Sequence, residues 1–176
     1  MPDGRRSGYG RTVPVTVFDI DGVLADVRHR LHFLDQRPKD WRGFFSAAVD
    51  DPVLASGRQA ADEAVAAGST IIYVTGRPRR YRRDTADWLE QNGLPRGELH
   101  MRPNHDRRPA RFYKAEIIQT ISRAHELVAV VDDDDKVVDH LRELGLPVLH
   151  ATWMHTQAAE RQLDLLEQAQ ESEGRT

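Results

Sequence analysis

The sequence predicts an α/β domain built on a mostly parallel five-stranded sheet, and two features of the chain carry that reading. Short apolar runs recur along it that are too hydrophobic to have a wet face, and stretches of helical period separate them. Buried strand alternating with amphipathic helix is the pattern of a sheet whose parallel strands are joined by helical crossovers.

The first run, residues 13–18 (VPVTVF), ends in the acidic sequence DIDG; the others are residues 70–74, 99–101, 127–131 and 148–150. Ala60, Ala64 and Ala67 share a helical face before Gly68, as do Tyr81, Trp88 and Leu89 before Gly93. Ile117, Ile118 and Ile121 form a third face, and Val137, Val138, Leu141 and Leu144 a fourth before Gly145. A last helix is expected over residues 156–170, turning Leu163 and Leu166 to the body.

Residues 26–52 interrupt the alternation with His29, His32, Phe33, Trp41, Phe44 and Phe45. They are expected to form a small helical, cap-like insertion over one edge of the sheet. Trp41, Phe44, Phe45 and Ala48 fall on one helical face that packs onto the core, although Phe33 or Trp41 could instead stack on a terminal base. Residues 13–170 thus read as one domain, with a flexible arm at 1–12 and a frayed tail at 171–176.

A chain of 176 residues, 39% hydrophobic and 30% charged, can bury one sizeable core and is neither disordered nor membrane-embedded in composition. No apolar run approaches the roughly 18 residues of a spanning helix. The basic start MPDGRRSGYGRT leads into no secretory apolar region, which predicts a cytoplasmic location. The absence of cysteine removes disulfides, thiolate metal sites and thiol nucleophiles, so a nucleophile must be an oxygen or nitrogen group. A net charge of -3 gives no general attraction for polyanions, yet arginines gather at residues 77–83 and 102–114.

The reactive side chains stand immediately after the strands: Asp19 and Asp21, then Thr75 and Arg77, then Arg102, then Asp132 and Asp133. In a parallel sheet these points lie along one edge, where open α/β sheets bind ligands.

The ordered motifs FDIDGVLAD, VTGRP, Lys114 within FYKAEII, and VVDDDDKVVD resemble those of the haloacid dehalogenase-like superfamily over about residues 13–151. The resemblance implies a three-layer Rossmann-like domain and phosphoryl transfer through an aspartate. Asp19 would attack phosphorus. Asp21 would protonate the leaving oxygen and later take a proton from water, which calls for a pKa lifted towards neutrality. Clustered carboxylates repel unless a cation sits among them. Mg2+ is therefore the expected cofactor, held by Asp19, Asp132, Asp133 and the backbone carbonyl of Asp21. Thr75 and Lys114 would grip the phosphoryl oxygens, with Gly76, Arg77 and Arg102 as substrate contacts. Asp21 also favours phosphatase over carbon–halogen chemistry, since dehalogenating members need no acid there.

A closer similarity lies in HRLHF, DW..FF, VDDPV, VTGRP..YR..T..WL, HMRP and DDDDKVVDHLRELGLPV, which look like the 3'-phosphatase domain of bacteriophage-type polynucleotide kinase/phosphatases. That implies removal of 3'-phosphates from nucleic-acid ends. No GxxxxGK[ST] loop occurs, so a phosphatase half alone is expected, in functional partnership with a separate kinase or ligase.

Blander readings stand beside these. Asp19 and Asp21 could shape a turn, Thr75 could cap a helix, Lys114 could be solvated, and Asp134 and Asp135 are expected only to cap the helix starting near Lys136. Arg77, Arg79, Arg80, Arg82 and Arg83 sit at a helix start, where the dipole disfavours cations; a phosphate-bearing ligand would offset this, or the face is simply solvated. The rival functions are a phosphatase of mononucleotides and a non-catalytic binder of nucleic-acid ends.

Overall fold

The computed structural model of the chain describes residues 12–154 together with Glu171. The expected helix over 156–170, with Leu163 and Leu166, lies outside the described residues, as do the arm up to residue 11 and the tail beyond 171. Five strands form one sheet in the order β3-β2-β1-β4-β5: β1 is Pro14–Phe18, β2 Thr70–Pro78, β3 Gly97–Arg102, β4 Glu126–Asp132 and β5 Val148–His150. Every pairing is parallel, from Val15 opposite Thr70 at one side of β1 to Pro14 opposite Glu126 at the other.

The strand order explains where a ligand can sit. After β1 the chain builds outwards to β2 and β3, then crosses back beyond β1 to β4 and β5. The C-terminal end of β1 is therefore the point where successive crossovers leave in opposite directions, opening a crevice in the rim.

Alternation along β1 feeds two cores. Val15 and Val17 join a cluster with Ile118 and Ile121 of helix α4 (Ala110–Ala124) and Val137 and Leu141 of helix α5 (Asp135–Glu143). Phe18 and Ile20 join the opposite cluster, with Ala61 of helix α2 (Ala55–Ala66) and Trp88 and Leu89 of helix α3 (Arg82–Gln91). Helices on both faces of the sheet make three layers. Thr16, a polar residue on a buried strand, meets its need through a 2.8 Å hydrogen bond with Ser69.

The insertion forms a core of its own. A 3₁₀ turn at Arg28–Phe33, helix α1 at Trp41–Ser46 and a second 3₁₀ turn at Ala47–Asp50 bury Leu31, Leu34, Trp41, Phe44 and Phe45 together with Met154. Asp40 caps α1 by accepting from the Gly43 N–H at 2.8 Å. Trp41 is only 4% exposed and stacks on Phe45, so it packs rather than offering a face to a base. Phe45 also meets Tyr81, just past β2, with ring centroids 5.2 Å apart. The insertion thus sits at the rim beside the two central strands, held there by apolar contacts such as Phe45 on Tyr81 and by the buried charges described below. No helix among the described residues is long and apolar enough to cross a membrane.

Candidate active site

The turn that follows β1 is shaped by its glycine. Gly22 adopts φ +78°, and a methyl group there would come within 1.8 Å of the Asp133 Oδ2. The backbone can fold back tightly enough to bring the β1 turn against the end of β4 only because Gly22 has no side chain. Asp19, Asp132 and Asp133 then present carboxylate oxygens that all lie within 4.8 Å of one another.

Lys114 reaches this trio from α4. Its Nζ donates to the Asp19 Oδ2 at 2.8 Å and the Asp132 Oδ2 at 2.7 Å, with its side chain buried. Burial alone would lower its pKa, but Asp132 and Asp19 outweigh that and raise it, so the ammonium stays charged. Burial pushes the Asp19 carboxyl up to about 7; Lys114 pulls against this while Asp132 and Asp21 add to it. Burial and the charges of Asp132 and Asp19 also hold Asp133 well above the usual carboxylate range.

These shifts describe a cluster with more negative charge than one lysine relieves. The Asp19 Oδ1 is buried without a hydrogen-bond partner among the described residues, and Asp19 is a member of the same trio. Hard oxygen donors, an unsatisfied carboxylate oxygen and uncompensated repulsion together suit a divalent cation. Asp132 is braced from behind, its Oδ1 accepting the Asp134 N–H at 3.1 Å. Asp134 caps α5 through the Lys136 and Val137 N–H groups.

Asp21 stands apart from the trio. Its carboxylate is turned onto Arg77, whose Nη2 lies 2.6 Å from Oδ1, and onto Arg30, whose Nη2 lies 2.6 Å from the same oxygen. Burial would raise its pKa, but the two guanidinium groups more than reverse this and hold it well below the usual range. The expectation of a lifted Asp21 is therefore corrected: in this arrangement arginines stabilise the ionised form.

Arg77 owes its position to an irregularity in the sheet. Thr75 pairs with Met101 and Pro78 with Arg102, so Gly76 and Arg77 are extra residues on β2 with no counterparts on β3. Such a bulge re-aims a side chain, and Arg77 turns towards β1. The buried Thr75 Oγ1 accepts the Arg77 N–H at 3.2 Å. Arg102 is 1% exposed, lies over the Tyr113 ring at 5.1 Å, and donates to the Arg108 carbonyl at 2.6 Å. It braces the loop before α4 and lies against Tyr113, the residue preceding Lys114.

Two residues of this constellation escaped sequence reasoning. Arg30 is fully buried in the insertion, and Asp51 at the insertion's end is the hub of its charges. Asp51 accepts from the Arg30 Nε at 2.7 Å and the Arg77 Nη2 at 2.9 Å, and its Oδ1 lies 2.8 Å from the His29 Nε2. The backbone carbonyl of Asp51 accepts the Trp88 indole N–H at 2.9 Å, tying the hub to α3. A buried charge demands a buried partner, and this exchange is what fastens the insertion to the rim. The available signal was an arginine in the aromatic stretch HRLHF and a carboxylate pair just before Pro52.

Comparison with known proteins places this geometry. The family model of the polynucleotide kinase PNKP phosphatase domain matches residues 14–153. A structure of the Pnkp1/Rnl/Hen1 complex aligns with a TM-score of 0.68 at 25% identity, covering 79% of this chain and 46% of that one. This chain therefore spans less than half the length of that relative. A class C acid phosphatase from Bacillus anthracis with tungstate bound shares the fold at a TM-score of 0.60 and 14% identity, covering 90% and 79% of the two chains. A haloacid dehalogenase-like family hydrolase from Streptococcus pneumoniae does so at 0.56 and 16% identity, covering 88% and 90%. No curated protein gives a significant match.

Proposed function

We propose, since the chain belongs to the polynucleotide kinase PNKP phosphatase-domain family, that it removes 3'-phosphates from nucleic-acid ends through a phosphorylated Asp19. The family settles the coarser point: the chain is a phosphatase with the haloacid dehalogenase-like α/β fold. The observation that carries the finer reading is the position of Asp19, at the switch point of the sheet and in the carboxylate trio, with one oxygen on Lys114 and the other without a partner among the described residues.

In the proposed reaction an Asp19 carboxylate oxygen attacks phosphorus, and the bond from phosphorus to the leaving oxygen breaks. Asp21 supplies the proton that the departing hydroxyl needs. A phosphate drawn onto the guanidinium fork of Arg77 takes over charge that now holds Asp21 ionised, so that this carboxyl takes up a proton from solvent and can pass it on. Water then attacks the aspartyl-phosphate, Asp21 accepts its proton, and inorganic phosphate leaves with Asp19 regenerated. Lys114 balances the two carboxylates it touches, while the Thr75 hydroxyl and the Gly76 N–H are the proposed donors to the phosphoryl oxygens. Asp19, Asp132, Asp133 and the Asp21 backbone carbonyl would hold Mg2+, which when bound neutralises charge on the transferring group.

The relative named in the structural comparison is part of a complex with Rnl and Hen1. For this chain we take as the functional partner a separate kinase, which would phosphorylate the opposing 5' end, or a ligase, which would consume the 3'-hydroxyl end this chain produces. The test compares phosphate release from a 3'-phosphorylated oligonucleotide with release from free 3'- and 5'-mononucleotides. Preference for the oligonucleotide supports the reading, and preference for a mononucleotide replaces it with small-molecule hydrolysis.

A further inference from the structure

The C-terminal rim of the sheet is electrostatically lopsided. Beyond β2, Arg79 and Arg80 lie on a 3₁₀ turn at Arg79–Tyr81, and Arg82 and Arg83 open α3; all four are exposed. Arg107, on the loop after β3, is exposed as well. Arg83 faces Asp87 at 3.8 Å. By contrast Arg79, Arg80, Arg82 and Arg107 have no carboxylate partner among the described residues. On the β4 side the exposed carboxylates are Asp135 and, one turn further along α5, Asp139, while Asp132 and Asp134 are buried.

The basic residues form one surface rather than two loops. The Arg79 Nε donates to the Met101 carbonyl at 3.3 Å, and the Arg80 N–H donates to the Asn104 Oδ1 at 2.9 Å. The Arg80 guanidinium lies over the Tyr81 ring at 5.3 Å, and that ring is itself partly exposed. This surface begins two residues after Arg77, which touches Asp21. Cations crowded at the positive end of α3 are locally unfavourable, and their cost is offset when an anion spans them.

We infer that a polynucleotide strand leaves the catalytic pocket over this surface, the phosphodiesters preceding its 3' end lying on Arg79, Arg80, Arg82 and Arg107. The inference rests on the nucleic-acid reading above and gives it a direction. A polyanion is steered across the β2 and β3 side and away from the aspartates on the β4 side. The Arg80–Tyr81 pair offers one base a stacking platform.

The test is a binding measurement, so that it does not depend on turnover. Fluorescence anisotropy with a labelled dodecanucleotide bearing a 3'-hydroxyl, in DNA and RNA versions, is read for the full chain, for R80E/R82E, for R107E and for R123E. Arg123 is exposed near the end of α4 and serves as the control, charge-matched to R107E. With three phosphates engaged, wild-type affinity falls roughly twentyfold between about 50 and about 200 mM salt. The R80E/R82E variant binds at least about tenfold more weakly at low salt, with a slope shallower by about 1.4, as expected for two lost contacts. R107E weakens binding by a smaller step, and R123E binds like wild type. Unchanged affinity and slope in R80E/R82E overturn the track, as does a wild-type chain that binds neither strand. If binding is lost as expected while wild type releases no phosphate from a 3'-phosphorylated strand, the track stands and the proposed reaction falls.

Discussion

Gly22 and Asp133 occupy each other's space: the Asp133 carboxylate fills the volume that any side chain at Gly22 would need. The β1 turn and the end of β4 are thereby locked together, and with them the three carboxylates.

Replacing Gly22 with alanine therefore damages function more than stability. The positive φ costs about 1–2 kcal/mol in an L-residue, lowering Tm by roughly 2–8 °C. The displaced Asp133 lowers phosphate release by more than about tenfold even where the protein is fully folded. Thermal unfolding and turnover measured on one preparation check this, and a variant with wild-type turnover would show that the contact does not matter.

The buried charge hub predicts the reverse emphasis. Asp51→Ala leaves Arg30, which is fully buried, with only part of its charge balanced, and breaking such a pair costs about 3–5 kcal/mol. Adding Arg30→Met to Asp51→Ala restores part of that loss, because the uncompensated charge goes with it. Denaturant unfolding of the two singles and the double gives the coupling, and additive effects would contradict the hub.

The same hub shows where the sequence stops being informative. The strands were legible because residues such as Val15, Val17 and Phe18 are too apolar to face water, and Asp19, Thr75 and Asp132 because each stands where such a run ends. β2 runs on to Pro78, past the apolar stretch, because Thr75 and Pro78 keep their pairing with β3 on either side of a bulge, while Thr75, Gly76 and Arg77 give no apolar signal. Arg30 and Asp51 gave no periodic signal: they are 21 residues apart, in a segment whose aromatic residues suggested only packing. The direction of the Asp21 shift is hidden from the sequence for the same reason. Its charge is set by Arg30 from the insertion and by Arg77 from a bulge, and neither bulge nor pairing is written locally.

Lys114 relieves two carboxylates, so Lys114→Met leaves them facing each other in a buried site. Phosphate release falls by about 10²–10³, the usual loss for one preorganised charge donor. Mg2+ raises the Tm of the variant by more than it raises that of wild type, because the cation is then the sole relief of the repulsion. Calorimetry with and without Mg2+ checks the sign, and an equal shift in both proteins would contradict it.

Asp21 serves the leaving group in this account. Asp21→Asn slows hydrolysis of a 3'-phosphorylated oligonucleotide, whose leaving alkoxide needs a proton, by about 10²–10⁴. A nitrophenyl phosphate, whose leaving group departs unprotonated, is slowed much less. Parallel rates on the two substrates decide the matter, and equal losses would assign Asp21 to positioning Arg30 and Arg77.

The most direct measurement is acid-quench trapping with a 32P-labelled 3'-phosphorylated oligonucleotide. Wild type is expected to retain label on the peptide containing Asp19 during turnover, while Asp19→Asn retains none and releases no phosphate. Release of phosphate by Asp19→Asn at the wild-type rate would contradict the account.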